Sequence, residues 1–153
     1  MFIKNNIKKI LKKKYKIAVA ESCTGGRICY ELTKISGISK IFISGVIAYS
    51  NSSKIKILNV KKESLIKYGA VSKEVAIEMA KNILKITKSD YSISTTGISG
   101  PTGFSKKKPL GLVYIAISNK KITKVYKNIF KGSRINIQKK ATEKSIELLV
   151  KNF

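Results

Sequence analysis

The sequence predicts a single α/β layered domain over residues 1–153, with a mixed, mostly parallel β-sheet flanked by helices. Three observations carry this. Short β-branched apolar runs alternate with segments of helical period, the order that builds parallel strands joined by crossover helices. A chain of 153 residues is long enough to bury one core. No internal repeat or linker divides it.

Residues 1–14 are the first predicted helix, with Ile3, Ile7, Ile10 and Leu11 on one side. This stripe is also a candidate surface for self-association. YKIAVA (15–20) reads as a buried strand. Thr24 is a candidate N-cap for a helix opened by Gly25 and Gly26 and running through Leu32. KIFISGVIAYS (40–50) is β-branched and strand-like. SSKIKIL (52–58) and KKESLIKYG (61–69) are short helices, the second stopping at Gly69. In SKEVAIEMAKNILKIT (72–87), Ser72 caps a helix with the apolar stripe Val75, Met79, Ile83 and Ile86. DYSISTT (90–96) and LGLVYIAIS (110–118) are strands flanking GISGPTGFSKKKP, a loop rich in Gly, Ser and Pro. TKVYKNIF (123–130) is a further strand, at an edge, and residues 133–153 close the chain as an amphipathic helix. Sheets of this kind bind ligands beyond the carboxyl ends of their strands. Ser22, Tyr49, Thr96 and the loop after it are expected to gather there.

Composition removes several classes of function. No apolar run approaches the ~18 residues that span a bilayer, and the first residues lack the pattern of a secretory signal. The expected location is the cytoplasm, with no membrane partner. Cys23 and Cys29 give no disulfide framework, and six residues apart on a helix they would face different ways. The net charge of +24 invites a nucleic-acid reading. Against it, the only arginines are Arg27 and Arg134, and the other 30 basic residues are lysines spread through every segment. Arginine is the residue of bidentate phosphate and guanine contacts. The expectation is therefore a solvated basic surface with weak, salt-sensitive polyanion binding and no specific nucleic-acid partner.

The absences also narrow the chemistry. There is no histidine, so neither a Ser–His–Asp triad nor an imidazole metal ligand is available. Asp90 is the only aspartate among eight dispersed acidic residues, so no metal is expected. What remains for nucleophilic catalysis is Ser, Thr or Cys activated by lysine or tyrosine. A desolvated lysine can take a serine proton once its pKa falls toward neutrality, and the thirty-odd like charges would assist that fall. In AVAESCTGG (18–26), Ser22 meets a helix start whose amides at Thr24, Gly25 and Gly26 suit a developing oxyanion. In AYSNSSK (48–54), Lys54 follows a strand by a short turn, and Tyr49 lies near enough to hydrogen-bond a Ser–Lys pair. The residues alone favour the plainer alternative, in which Ser22 and Thr24 cap a helix and Lys54 is a surface lysine.

Six blocks in order, AVAESCTGG, GVIAYSNSSKIKILNV, GAVSKEVAIEMA, TTGISGPTG, KPLGLVYIAI and FKGSR, resemble the CinA C-terminal domain family from about residue 5 to the end. That family includes stand-alone nicotinamide mononucleotide amidohydrolases. The resemblance implies hydrolysis of the nucleotide's carboxamide to nicotinic acid mononucleotide and ammonia, with no cofactor or metal. It implies Ser22 as nucleophile and Lys54 as base, with Tyr49 beside them. Thr24, Gly25 and Gly26 would be oxyanion or cap groups, Thr96, Gly97 and Gly100 would lie along the nucleotide, and Arg134 would hold the phosphate or pair at a helix start. Cys23 would be a buried neighbour. The chain departs from the family's pattern at Phe104, Lys106, Lys107, Ser133 and Gln138, which bears on substrate affinity. The alternative reading is a non-catalytic nucleotide-binding or competence- and damage-related regulatory module.

Overall fold

The computed structural model describes residues 2–153. Met1, the first residue of the expected 1–14 helix, lies outside them. The elements in order are α1 (Phe2–Lys13), β1 (Ile17–Glu21), α2 (Arg27–Thr33), a 3-10 turn (Ile38–Lys40), β2 (Phe42–Ile47), α3 (Asn51–Leu58), α4 (Lys62–Tyr68), α5 (Lys73–Thr87), β3 (Tyr91–Gly97), β4 (Leu112–Asn119), β5 (Thr123–Ile129) and α6 (Arg134–Lys151). They form an α/β fold around one five-stranded mixed sheet of order β2-β1-β3-β4-β5. β1 runs parallel to both β2 and β3, whereas β3–β4 and β4–β5 are antiparallel. The sheet is thus mixed and mostly parallel as expected, with β4 alone running against the other four strands. The reason is local: no helix separates β4 from β5, so a short turn at Lys120–Ile122 reverses the chain.

Alternation along β1 sorts the core. Ile17 and Val19 face α1, α2 and α6, where they meet Ile7, Ile10, Ile28, Leu32, Ile137 and Leu149. Ala18 and Ala20 face α5, against Val75, Met79 and Ile83. Small residues on that face bring α5 close to the sheet. Ser92 Oγ donates to the Ala80 carbonyl (2.7 Å) and Ser94 Oγ to the Ala76 carbonyl (2.6 Å), so β3 is stitched to the helix by its own hydroxyls. Ile86, expected in the α5 stripe, is instead half exposed (50 %), in the last turn of the helix. The α1 stripe is covered within the chain: Ile7 and Ile10 are wholly buried, with Ile3 and Leu11 packed against the same core. No helix among the described residues is long and apolar enough to cross a membrane.

β1 lies between its two parallel neighbours; the β1–β2 connection passes through α2 on one face, and the β2–β3 connection passes through α5 on the other. This is the point where an open α/β sheet leaves a crevice at the carboxyl ends of its strands. Ser22 follows β1, Ala48 and Tyr49 follow β2, and Ile98 to Gly103 follow β3.

Candidate active site

A cavity of about 280 Å³ opens at that crevice, lined by residues that include Ser22, Tyr49, Lys54, Thr96, Gly100 and Arg134. Lys54 is delivered by α3. Ser50 caps that helix in a reciprocal box: its hydroxyl accepts from the Ser53 amide (3.0 Å), and Ser53 Oγ accepts from the Ser50 amide (3.1 Å). The box fixes the entry angle of α3, so the fourth helical residue points down into the cavity instead of out to solvent. Lys54 is 1 % exposed. Its Nζ lies 2.9 Å from Ser22 Oγ, 2.8 Å from the Ala48 carbonyl and 3.3 Å from the Tyr49 carbonyl.

Burial pulls the Lys54 ammonium below its ordinary pKa, because a charged amine loses its hydration there. Desolvation is the cause, and not the repulsion from other lysines expected from composition. A neutral Lys54 can donate to the Ala48 and Tyr49 carbonyls and turn its lone pair toward the Ser22 hydroxyl. Cys23, next in the chain, is itself buried, which pushes its thiol up to about 12 and keeps it protonated at neutral pH.

The turn carrying Ser22 is tightly held. The Ser22 amide donates to the Thr95 carbonyl (3.0 Å), and the Gly25 amide donates back to the Ser22 carbonyl (3.1 Å). Thr24 is not a helix cap: its hydroxyl shares a buried 2.8 Å hydrogen bond with Thr95 Oγ1, and α2 begins three residues later. Gly26 takes the N-cap position at φ +93°, without a side-chain cap. Thr24, Gly25 and Gly26 do not line the cavity. The Gly25 amide is spent on Ser22 and the Gly26 amide on Glu21, so neither is free for an oxyanion. The Cys23 and Thr24 amides have no acceptor among the described residues.

One side chain here escaped sequence reasoning, and another, named there only as a departure from the family's pattern, takes a structural place. Glu21 is wholly buried, and its carboxylate accepts from the amides of Gly26, Ile28 and Cys29. Its signal was a carboxylate ending an otherwise apolar strand run. Gln138, on α6, donates to the Cys23 carbonyl (3.1 Å) and accepts from Arg27 Nε (3.2 Å), so it braces the turn rather than lining the cavity.

Tyr49 is placed differently from expectation. Only its backbone carbonyl reaches Lys54; its ring is 57 % exposed, and its hydroxyl accepts from an Arg134 Nη (2.7 Å). Arg134 also donates to the Gly100 carbonyl (2.5 Å), so it clasps the loop after β3 to the turn after β2. It stands at the first position of α6, which Ser133 caps. Thr96, Gly97 and Gly100 line the cavity as expected, and the Thr96 hydroxyl donates to the Ala70 carbonyl (2.7 Å). Phe104, Lys106 and Lys107 are exposed and lie off the lining. Among the described residues no carboxylate lines the cavity, and Lys54 and Arg134 are its cations.

Fold and site together define a class: an α/β domain with a buried lysine hydrogen-bonded to a serine at the carboxyl edge of its parallel strands. The chain belongs to the CinA C-terminal domain family, which matches residues 2–153. It is 49 % identical over 140 residues to a CinA-like protein of Endomicrobium trichonymphae, covering 92 % of this chain and 33 % of that protein. The chain spans about a third of the length of the curated relatives it matches. Among solved structures, the competence/damage inducible protein CihA from Agrobacterium tumefaciens superposes with a TM-score of 0.95 at 30 % identity, covering 99 % of this chain and 95 % of that one. A CinA superfamily protein from Escherichia coli gives 0.93 at 29 %, covering 99 % and 90 %.

Proposed function

We propose that this domain is an amidohydrolase that deamidates nicotinamide mononucleotide, with Ser22 as nucleophile and Lys54 as general base. The observation that carries the reading is the buried Lys54 Nζ at 2.9 Å from Ser22 Oγ, in a cavity with no histidine or carboxylate to compete for the role. Desolvation keeps a share of the amine neutral, which a base operating near neutrality needs. The substrate follows from the family resemblance, and the cavity suits it. A nucleotide phosphate needs a cation, and Arg134 sits at the rim with no lining acid to oppose it.

In this mechanism neutral Lys54 takes the Ser22 proton as Oγ attacks the carboxamide carbon. The C=O pair moves onto oxygen, and the Cys23 and Thr24 amides are the donors assigned to it. The intermediate collapses by breaking the C–N bond, Lys54 returns its proton to the leaving nitrogen, and ammonia departs. Water, deprotonated by the again-neutral Lys54, then attacks the nicotinoyl ester on Ser22 and restores the serine. Tyr49 serves through its carbonyl on Lys54 and its hydroxyl on Arg134.

The test is ammonia release from nicotinamide mononucleotide by the wild type and by Lys54→Ala and Ser22→Ala. Turnover in the wild type and a loss of at least ~10²-fold in each variant are expected. Calorimetric nucleotide binding without any turnover would replace this reading with that of a binding module.

A further inference from the structure

Glu21 is an expensive residue to bury, and its position explains why it is there. A carboxylate taken fully out of water is tolerated only when its oxygens are hydrogen-bonded. Oε2 accepts from the Gly26 amide (3.0 Å) and the Ile28 amide (3.2 Å), and Oε1 accepts from the Cys29 amide (2.9 Å). These are the amides that open α2, a helix with no side-chain cap of its own. The backbone of Glu21 is equally fixed. It is the last residue of β1, paired with Ile47 on one side and Thr95 on the other, and its carbonyl accepts from the Ala48 amide (2.8 Å).

Ser22 to Gly25 is therefore a short arch with both feet on one residue. One foot is the Glu21 backbone in the middle of the sheet; the other is the Glu21 side chain, gripping the chain where α2 begins. We propose that Glu21 is a positioning residue for the reacting serine. By accepting from Gly26, Ile28 and Cys29, it holds the arch so that Ser22 Oγ meets Lys54 while the Cys23 and Thr24 amides keep no acceptor. The inference rests on Ser22 being the nucleophile and needs no particular substrate.

The test uses the full chain and a fluorophosphonate probe, which forms an Oγ–P bond with loss of fluoride at an activated serine. The second-order labelling rate of Ser22 is measured for the wild type, Glu21→Gln and Gly26→Ala, together with kinetics on nicotinamide mononucleotide and the melting temperature. In Glu21→Gln one acceptor becomes an N–H2 group facing amide donors. In Gly26→Ala the charge stays, but a Cβ meets Ile47 Cδ1 at 2.9 Å on a residue at φ +93°. Both variants are expected to label about tenfold slower or worse, since small misplacement of reacting atoms is costly. In both, kcat should fall with it, while KM moves less than about threefold and the pH at which activity rises stays put. Labelling and kcat per folded molecule that match the wild type, with only a lower melting temperature, would overturn the proposal. If Glu21→Gln does not fold, Gly26→Ala decides by the same measures. If ammonia is never released but labelling still depends on Glu21, the substrate reading fails and this one stands. A wild type that neither labels nor releases ammonia removes both.

Discussion

Replacing Lys54 by methionine separates the lysine's chemical role from its place in the core. Methionine keeps the length of the stem and fills the same buried slot, but leaves no nitrogen 2.9 Å from Ser22 Oγ. Nothing nearby can substitute: no carboxylate lines the cavity, and Glu21 is committed to three amides. Loss of a general base costs about 10²–10⁴ in rate, or ~2.7–5.5 kcal/mol of transition-state stabilisation. The pH profile gives an independent check. Because the folded pKa of Lys54 lies below its ordinary value of 10.5, wild-type activity should climb as pH rises through the folded pKa. Stability carries the same sign. Between the folded pKa and 10.5 the unfolded chain binds more protons than the native one, so this lysine's contribution grows as pH rises through that window and is lost as pH falls. Lys54→Met should abolish both dependences, seen as the difference between wild-type and variant profiles in ammonia release and chemical denaturation. Activity within tenfold of wild type, or parallel pH profiles, would refute the assignment of Lys54 as base.

Arg134→Ala should raise KM for nicotinamide mononucleotide by about 10- to 100-fold with a smaller change in kcat, the size of one lost charge-assisted contact. Steady-state kinetics with nicotinamide riboside, which lacks the phosphate, should show no such change. Met79→Ala should cost about 2–5 kcal/mol in denaturant unfolding, since Met79 is wholly buried on the α5 face. Ile86→Lys, two turns further along the same helix and half exposed, should stay within about 0.5 kcal/mol of wild type. Iodoacetamide at neutral pH should leave Cys23 unmodified in the folded protein, because its thiol, pushed up to about 12, is almost wholly protonated and buried; mass mapping of the alkylated chain checks it.

Local patterns were legible wherever one residue type dictates one geometry. Ser72 caps the helix it precedes, Val75, Met79 and Ile83 line the buried side of α5, and β5 is an edge strand. Ser22, Tyr49 and Thr96 were expected at the carboxyl edge from strand order and line the cavity there, whereas Lys54 was placed only by a short turn after a strand and Arg134 only by the family resemblance. What could not be read was non-local satisfaction. Thr24 has the chemistry of a cap, yet its hydroxyl found Thr95, 71 residues away. The amides that Thr24 would have capped found Glu21, because only a folded sheet holds that carboxylate over the start of α2. Tyr49 likewise offered a phenol to the Ser–Lys pair in sequence. The capping box at Ser50 turns α3 inward, leaving the Tyr49 ring outside to meet Arg134.

The site resolves a problem that a chain with 32 Lys and Arg and no histidine poses for itself. A lysine in water is a poor base because it holds its proton, and long-range repulsion from other lysines is screened within about 8 Å at physiological salt. Burial acts at the amine itself and is not screened. The fold supplies it at one lysine by anchoring α3 with uncharged groups only, the Ser50–Ser53 box, so that no carboxylate follows Lys54 inward to restore its charge. The single buried carboxylate of this region, Glu21, is neutralised by amides rather than by Lys54. Under the proposed mechanism, keeping Glu21 from pairing with Lys54 is what leaves the amine able to act as a base. An Asp introduced at Ser99, which lines the same cavity as Lys54, should therefore favour the charged ammonium and shift the rise in activity to higher pH, even with Ser22 and Lys54 both intact.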